Sequence, residues 1–150
     1  MSIWWSLHLR REAASVPLAR RLLLGTMETA GVDPDISFDL SVALSEACAN
    51  AVEHGGRAPA REVPDETGAF HVTAYLDGDR CRIEVADSGP GFPAATVARH
   101  RPSLAEHGRG LHLIEQLADH VRFRNRPGRG AVVSFDKMLK WRDDALLKVS

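Results

Sequence analysis

The chain has 150 residues, of which 44% are hydrophobic and 26% are charged, a size that suits one globular domain with a single core. Its 19 basic and 20 acidic residues give a formal net charge of −1, so no bulk attraction to nucleic acid or to an anionic membrane is expected. The sequence shows no bilayer-spanning apolar stretch, no signal-peptide pattern and no CxxC motif. We therefore expect a cytoplasmic protein with reduced, buried thiols and one domain over 1–150, of which 140–150 form a peripheral tail.

The first predicted elements are a strand and two helices. Residues 2–10 alternate in polarity, which predicts a strand at the edge of a sheet. A stripe of leucines at helical spacing predicts a first helix over about 16–30. A second helix follows directly, capped by Asp35 or Ser37 and ended by Gly55-Gly56.

The second half of the chain predicts a hairpin, a lid and a second pair of strands. Residues 57–68 are interpreted as a loop insertion, and two alternating strands flank the turn at 77–79. The irregular stretch 88–110 is interpreted as a mobile lid. The remaining elements are a helix over about 111–119 and strands over 121–125 and 131–138. This order predicts a two-layer α/β sandwich, with helices on one face of a mostly antiparallel, mixed sheet.

Polar side chains on the second helix form one row. Glu46, Asn50 and His54 are spaced i, i+4 and i+8, so they fall on one helical face beside several alanines. Mg²⁺ usually keeps waters and substrate phosphate oxygens, so a single amide oxygen such as that of Asn50 is a plausible protein ligand. Glu46 could orient or deprotonate an attacking group. For this spacing alone, an exposed polar helix face is the alternative.

A glycine-rich segment begins where the second hairpin strand ends, at Asp87-Ser88-Gly89-Pro90-Gly91. A buried carboxylate at this position can accept a hydrogen bond from an exocyclic amine, and the glycines allow a ring to approach the backbone. The segment therefore suits adenine recognition. A plain turn after a strand is the alternative.

A second glycine-rich segment, Gly108-Arg109-Gly110-Leu111, stands immediately before the third predicted helix. Free backbone N–H groups and the positive end of the helix dipole would face a bound anion there, so phosphate fits this position. Arg109 is a candidate catalytic residue that either pairs with the terminal phosphate or points to solvent. The GxxxxGK[ST] pattern does not occur, so an ordinary P-loop is not supported.

Together these segments resemble the GHKL ATPase superfamily over nearly the whole chain. The resemblance is carried by three motifs in the family order: Glu46-x-x-x-Asn50, Asp87-x-Gly89-x-Gly91 and Gly108-x-Gly110-Leu111. Within the superfamily, the segments 49–55 and 108–114 look like those of the bacterial anti-sigma factor serine/threonine kinases.

The resemblance implies a role for each motif. Asn50 would bind Mg²⁺, Glu46 would be the catalytic base, and Asp87 would bind the adenine amine. The remaining motif residues would line the base pocket (Gly89, Gly91) or bind the phosphates (Gly108, Gly110, Leu111). One departure is Gly130-Ala131, where the family often has Gly-Thr. The missing hydroxyl is expected to weaken nucleotide binding by about 1 kcal/mol.

The resemblance also implies the function. The protein would be an ATP-binding anti-sigma factor and kinase, which sequesters a sigma factor and phosphorylates a serine or threonine of its anti-anti-sigma antagonist. It would not bind nucleic acid or membrane directly, and its first strand and helix would contribute to a homodimer. An ATP-sensing, protein-binding regulator without phosphotransfer is the alternative. The ATP-binding half of a sensor histidine kinase is disfavoured, because the residues ahead of the second helix already form a strand and a helix.

One further feature is left without a function. Arg122, Arg124 and Arg126 project from one side of a predicted strand. They could engage an acidic partner or form a solvated sheet face.

Overall fold

The computed structural model describes residues 2–54, 68–89, 91–92, 108–126 and 130–143. The elements follow the predicted order: β1 Ile3–Arg10, α1 Ser15–Ala30, α2 Pro34–His54, β2 Ala69–Leu76, β3 Arg80–Ala86, α3 Gly108–Leu117, β4 His120–Arg126 and β5 Gly130–Met138. Most of the predicted loop insertion and lid lies outside the described residues. None of the described helices is long and apolar enough to cross a membrane.

The five strands form one sheet in the order β1-β2-β3-β5-β4, and every described pairing is antiparallel. β1 and β4 are therefore the two edges, as predicted for β1. Buried and more exposed residues alternate along β1, β2 and β3, so each of these strands turns one face toward the core. The predicted α/β sandwich is confirmed.

The core lies between the three described helices and one face of the sheet. Its largest fully buried side chains come from all three helices and from four of the strands: Leu23, Met27, Leu40, Leu44, Leu111, Ile114, Phe70, Leu76, Ile83, Phe123 and Phe135. Burial of each such side chain contributes about 1.5–3 kcal/mol to stability. The helices are thereby fixed over the strands that carry the candidate site.

The start of α2 differs from the prediction. Asp33 Oδ1 accepts a hydrogen bond from the backbone N–H of Asp35 at 2.8 Å, and Pro34 is the first helical residue. A proline suits this position because its missing N–H would have no partner inside the helix. Asp33 is therefore the cap, and the prediction of Asp35 or Ser37 was wrong.

The segment after β5 is anchored to the turn between α1 and α2. Trp141 forms a β-bridge with Val32, and its indole Nε1 donates to the carbonyl of Gly78 at 3.0 Å. The backbone N–H of Asp33 donates to the carbonyl of Lys140 at 2.7 Å. The beginning of the predicted peripheral tail is thus attached to the domain, and residues 144–150 lie outside the described part.

Candidate functional site

Asp87 follows the last residue of β3 and is only 7% exposed. Its Oδ1 accepts hydrogen bonds from the backbone N–H groups of Gly89, at 2.9 Å, and Ala131, at 3.1 Å. No described residue donates to its Oδ2. The carboxylate is therefore fixed through one oxygen, while the other can accept a hydrogen bond from a ligand.

The start of β5 lies directly against Asp87. Gly130 has φ of 116°, and a Cβ at this position would lie 2.3 Å from the Asp87 carbonyl oxygen, so only glycine permits this contact. The backbone N–H of Asp87 donates to the carbonyl of Ala131 at 2.9 Å. Because the Ala131 backbone supplies these contacts, the departure from Gly-Thr leaves the anchoring of Asp87 intact.

Asn125, at the end of β4, holds the segment after Asp87. Its Oδ1 accepts from the backbone N–H of Phe92 at 2.7 Å, and its Nδ2 donates to the Phe92 carbonyl at 2.9 Å. A Cβ on Gly91, which has φ of 88°, would lie 2.6 Å from Asn125 Oδ1. No sequence motif predicted a role for Asn125. The feature that could have indicated it is an amide at a position of β4 that faces the core. The alternation set by Val121 and Phe123 predicts an apolar residue there.

Arg126 supports the same segment from the next position. Its Nη2 donates to the carbonyl of Asp87 at 2.9 Å. Neighbouring residues of β4 therefore fix both ends of the segment that begins with Asp87 and ends with Phe92, one through a guanidinium and one through an amide.

The polar row of α2 contacts α3 through Glu46. Asn50 is 9% exposed and Glu46 is half-buried. A Cβ on Gly110 would lie 2.7 Å from Glu46 Oε2, so this glycine makes room for the carboxylate. His54 is more exposed at the end of α2, with its Nε2 3.5 Å from a carboxylate oxygen of Glu53. The structure thus brings Glu46 together with Gly110, two residues that the sequence assigned to different motifs.

The predicted phosphate-binding segment is part of α3, which begins at Gly108 and not at about residue 111 as predicted. Gly108 and Gly110 are in its first turn, where backbone N–H groups have no partner inside the helix. Leu111 is completely buried and its side chain belongs to the core, so only its backbone can meet a phosphate. The side chain of Arg109 lies outside the described part of the chain.

The available donors suit a nucleotide with Mg²⁺ better than an independent metal centre. No three His, Cys, Asp or Glu side chains of the described residues are grouped so that they could hold a metal ion. The amide of Asn50, one turn from the carboxylate of Glu46, is a sparse donor set. Such a set fits a cation that keeps several waters and binds phosphate oxygens.

Comparison with known proteins decides the family. A model of the histidine kinase-like ATPase domain matches residues 9–137. The chain belongs to this family. The serine-protein kinase RsbW of Bacillus licheniformis is 36% identical over 137 residues, covering 83% of this chain and 78% of the relative. RsbW of Bacillus subtilis is 34% identical over 122 residues, covering 75% and 72%. Within the histidine kinase-like ATPases, the chain therefore belongs to the RsbW group of serine-protein kinases.

Solved structures agree with the histidine kinase-like fold. The crystal structure of the RsbU and RsbW domains of Rv1364c from Mycobacterium tuberculosis matches with a TM-score of 0.63 and 22% identity. The match covers 91% of this chain and 33% of that one, so the chain spans about a third of the longer protein. At this identity the likeness shows the fold.

Proposed function

We propose that this protein is an ATP-dependent serine/threonine kinase and anti-sigma factor, which sequesters a sigma factor and phosphorylates the antagonist that releases it. The observation that carries the proposal is the Asp87 carboxylate, in a chain of the RsbW group: Oδ1 is fixed by two backbone donors, and no described residue donates to Oδ2. A cytoplasmic location accords with the use of ATP.

Asp87 selects adenine in this proposal. An ionised carboxylate only accepts hydrogen bonds, so its Oδ2 can take the exocyclic N–H of adenine but is repelled by the carbonyl oxygen of guanine. Because Gly89 and Ala131 hold Oδ1 in place, the selecting oxygen cannot rotate away. The backbone at Gly89 and Gly91 forms the floor of the base pocket.

The first turn of α3 and the side chain of Asn50 receive the phosphates. Backbone N–H groups at Gly108 and Gly110 donate to phosphate oxygens, and the helix dipole favours their negative charge. The amide oxygen of Asn50 is the protein ligand for Mg²⁺. When bound there, Mg²⁺ would supply positive charge that offsets the negative charge of the phosphates during transfer.

Glu46 is the base in the transfer step. The acceptor serine oxygen bonds to the γ-phosphorus, the bond to the β–γ bridging oxygen breaks, and ADP leaves. The serine proton passes to the Glu46 carboxylate, whose position is set by its contact with Gly110. Arg109 is assigned the second catalytic role, offsetting charge on the transferred phosphoryl group.

A groove between α1 and α2 is the binding site that we assign to the antagonist. It has a volume of about 780 Å³, and Glu46 lies among its lining residues. Leu24, Val42 and Phe38 contribute an apolar surface, and Phe38 is 65% exposed. Arg20 and Glu28 are charged groups on the α1 side. An amphipathic segment of a partner bound here would lie beside the proposed base.

We assign the outer edge of β1 to the interface of a homodimer. The N–H of Arg11 donates to the carbonyl of Gly68, and this pair continues the β1–β2 register, so the odd-numbered residues of β1 bond to β2. The even-numbered residues then turn their N–H and C=O groups to the open edge. A two-fold axis through Ser6 would pair Trp4 with His8 of a second copy, with no charged residue between positions 3 and 9 to oppose it.

Ser6→Pro tests the dimer. The substitution removes an outward N–H without removing a bond to β2, so we expect a shift from dimer to monomer in light scattering coupled to size-exclusion chromatography. Ser6→Ala is the control, since it deletes the hydroxyl contact with His71 but keeps the N–H. A wild-type protein that is monomeric at high concentration contradicts this assignment.

Calorimetric titration with ATP and GTP, each with and without Mg²⁺, tests the nucleotide site. Adenine-selective binding that depends on Mg²⁺ is expected, and Asn50→Ala is expected to remove the dependence on Mg²⁺. Incubation with γ-labelled ATP and the antagonist then tests transfer, with the label located by mass spectrometry. Binding without transfer would point instead to an ATP-sensing regulator, and no binding at millimolar ATP would overturn the proposal.

A further inference from the structure

The face of the sheet turned away from the helices is strongly basic. Side chains on this face come from every second residue of each strand, opposite the core positions. Its charged residues are six arginines and two acids: Arg10, Arg80, Arg82, Arg122, Arg124, Arg126, Glu84 and Asp136. Because the whole chain has a formal net charge of −1, this face concentrates positive charge that the rest of the molecule lacks.

Four of the arginines flank one cleft. Arg80 and Arg82 project from β3, Arg122 and Arg124 project from β4, and Ser134 of β5 lies between them. The cleft has a volume of about 610 Å³. Within each pair the Cα atoms are about 7 Å apart. The pairs lie on either side of β5 and are offset along it, because Arg82 is level with Asp136 and Arg122 is level with Ser134. Two short, staggered rows of arginines therefore border the cleft.

These arginines are weakly engaged by the protein. Among the residues that the structure describes, Arg80, Arg82 and Arg122 form no ion pair, and Arg124 has a 3.8 Å contact with Glu84. Asp136 is instead hydrogen-bonded to Nδ1 of His120 at 2.9 Å. The positive charge of the rows is therefore available to a partner.

Exposed apolar side chains lie beside the cleft. Trp4 is 65% exposed and Tyr75 is 47% exposed, and their rings stack with centroids 6.2 Å apart. Tyr75 is directly opposite Arg82 in the sheet register, and Met138 at the end of β5 is 49% exposed. Trp, Tyr, Arg and Met are the residue types enriched in protein interfaces.

We propose that this basic sheet face, formed by the two arginine rows with Trp4 and Tyr75, docks an acidic segment of a partner protein. Carboxylates at i and i+2 of a strand, or at i and i+4 of a helix, repeat at the spacing of the arginines in each row. Each guanidinium can hold a carboxylate through two N–H groups.

The position of the two acids favours a protein over a nucleic acid. Asp136 lies on β5 between the two arginine rows and directly beside Arg82, and Glu84 follows Arg82 on β3. A nucleic acid strand carries a phosphate at every nucleotide, so some phosphates would meet these carboxylates. A protein segment can place its acidic residues over the arginines and present neutral side chains to Glu84 and Asp136.

A partner on this face does not cover the candidate nucleotide site or the α1–α2 groove. Glu46 and Gly110 belong to the helical layer, on the other side of the sheet. The basic sheet face is thus a second docking surface, independent of the proposed kinase site. It could hold an acidic protein while ATP and the antagonist are bound.

Binding of a fluorescein-labelled oligo-glutamate peptide, followed by fluorescence anisotropy, tests the proposal. We expect Arg82→Glu/Arg122→Glu to weaken binding by about tenfold or more, and we expect binding to weaken with added salt. The matched control for charge reversal is Arg21→Glu, at an exposed position of α1 outside the α1–α2 groove, compared with the single variant Arg82→Glu. If the reversed pair unfolds, Arg82→Gln/Arg122→Gln gives a smaller loss of the same sign. Saturating MgATP should leave peptide binding unchanged.

Three results would overturn the inference. An equal loss of peptide affinity in the sheet variant and in the α1 control would mean that binding depends only on the overall charge of the protein. Displacement of the peptide by MgATP would place it in the nucleotide site. Tighter binding of an oligouridylate, lost in the same sheet variant, would make the face a nucleic acid surface.

Discussion

Gly110→Ala should separate the activity of this protein from its stability. A Cβ at this position would lie 2.7 Å from Glu46 Oε2, well inside van der Waals contact, so the carboxylate must move by at least about half an ångström. The contacting atom is the end of a flexible side chain, so the fold can accommodate the change. Misplacement of a catalytic group by about 1 Å costs about a hundredfold in rate, so we expect a ten- to hundredfold loss of phosphoryl transfer.

Stability should change in the opposite direction. Alanine is favoured over glycine inside a helix by about 0.8–1 kcal/mol, and somewhat less in the first turn, where Gly110 lies. The matched control is Gly25→Ala in α1, where an added Cβ meets nothing within 4 Å. Gly25→Ala should raise the Tm by about 2–4 °C without changing transfer, while Gly110→Ala should keep or slightly raise the Tm.

The assay measures transfer of γ-labelled phosphate to the antagonist, together with thermal unfolding and calorimetric ATP binding. The decisive comparison places Gly110→Ala in a Glu46→Ala background. If the alanine acts by displacing the carboxylate, it has no further effect there. An equal loss in both backgrounds would refute the reasoning and indicate that the added methyl group blocks a phosphate.

Three other substitutions or treatments have defined outcomes. Asp87→Asn should reduce the preference for ATP over GTP in calorimetric titrations, because the amide can donate where the carboxylate only accepts; unchanged selectivity would remove Asp87 from the base pocket. Asn125→Ala deletes two hydrogen bonds to Phe92, so it should lower the free energy of unfolding by about 2 kcal/mol and raise the KM for ATP. An unchanged KM would mean that Asn125 has only a structural role. Iodoacetamide at pH 8 should leave Cys48 and Cys81 unmodified in the native protein, because burial raises the pKa of each thiol to about 12, and rapid modification of either would contradict its burial.

Local sequence patterns correctly predicted the helices and strands in which apolar residues recur with one regular period. β1 alternates strictly, so its edge position and its core-facing residues followed from the sequence. Gly31 ends α1 in the left-handed conformation, which only a glycine adopts without strain. In these segments local preference and tertiary packing favour the same structure.

The predicted starts of α2 and α3 were wrong, because local sequence signals at these positions compete. Asp33, Asp35 and Ser37 are all acceptable caps, and Pro34 decided among them by fixing the first helical residue. The first turn of α3 contains two glycines, which have low helix propensity, so its start was placed too late.

The site was predictable as a set of motifs but not as a set of contacts. The sequence marked Glu46 and Gly110 separately, and the contact between them depends on how α2 packs against α3. Asn125 is 33 positions away from Phe92 in the chain, so no local pattern could reveal the bonds between them. The roles assigned to the site residues remain predictions until the substitutions are measured.

The two edge strands of the sheet, β1 and β4, differ in charge, and this difference limits how many copies of the chain can associate by strand pairing. β4 carries His120 and three arginines along its length, and such charge discourages pairing with another strand. β1 has no charged residue between positions 3 and 9. In the proposed dimer the β1 edges of the two copies pair with each other, so growth by strand addition would stop at two subunits and would not continue into a fibre.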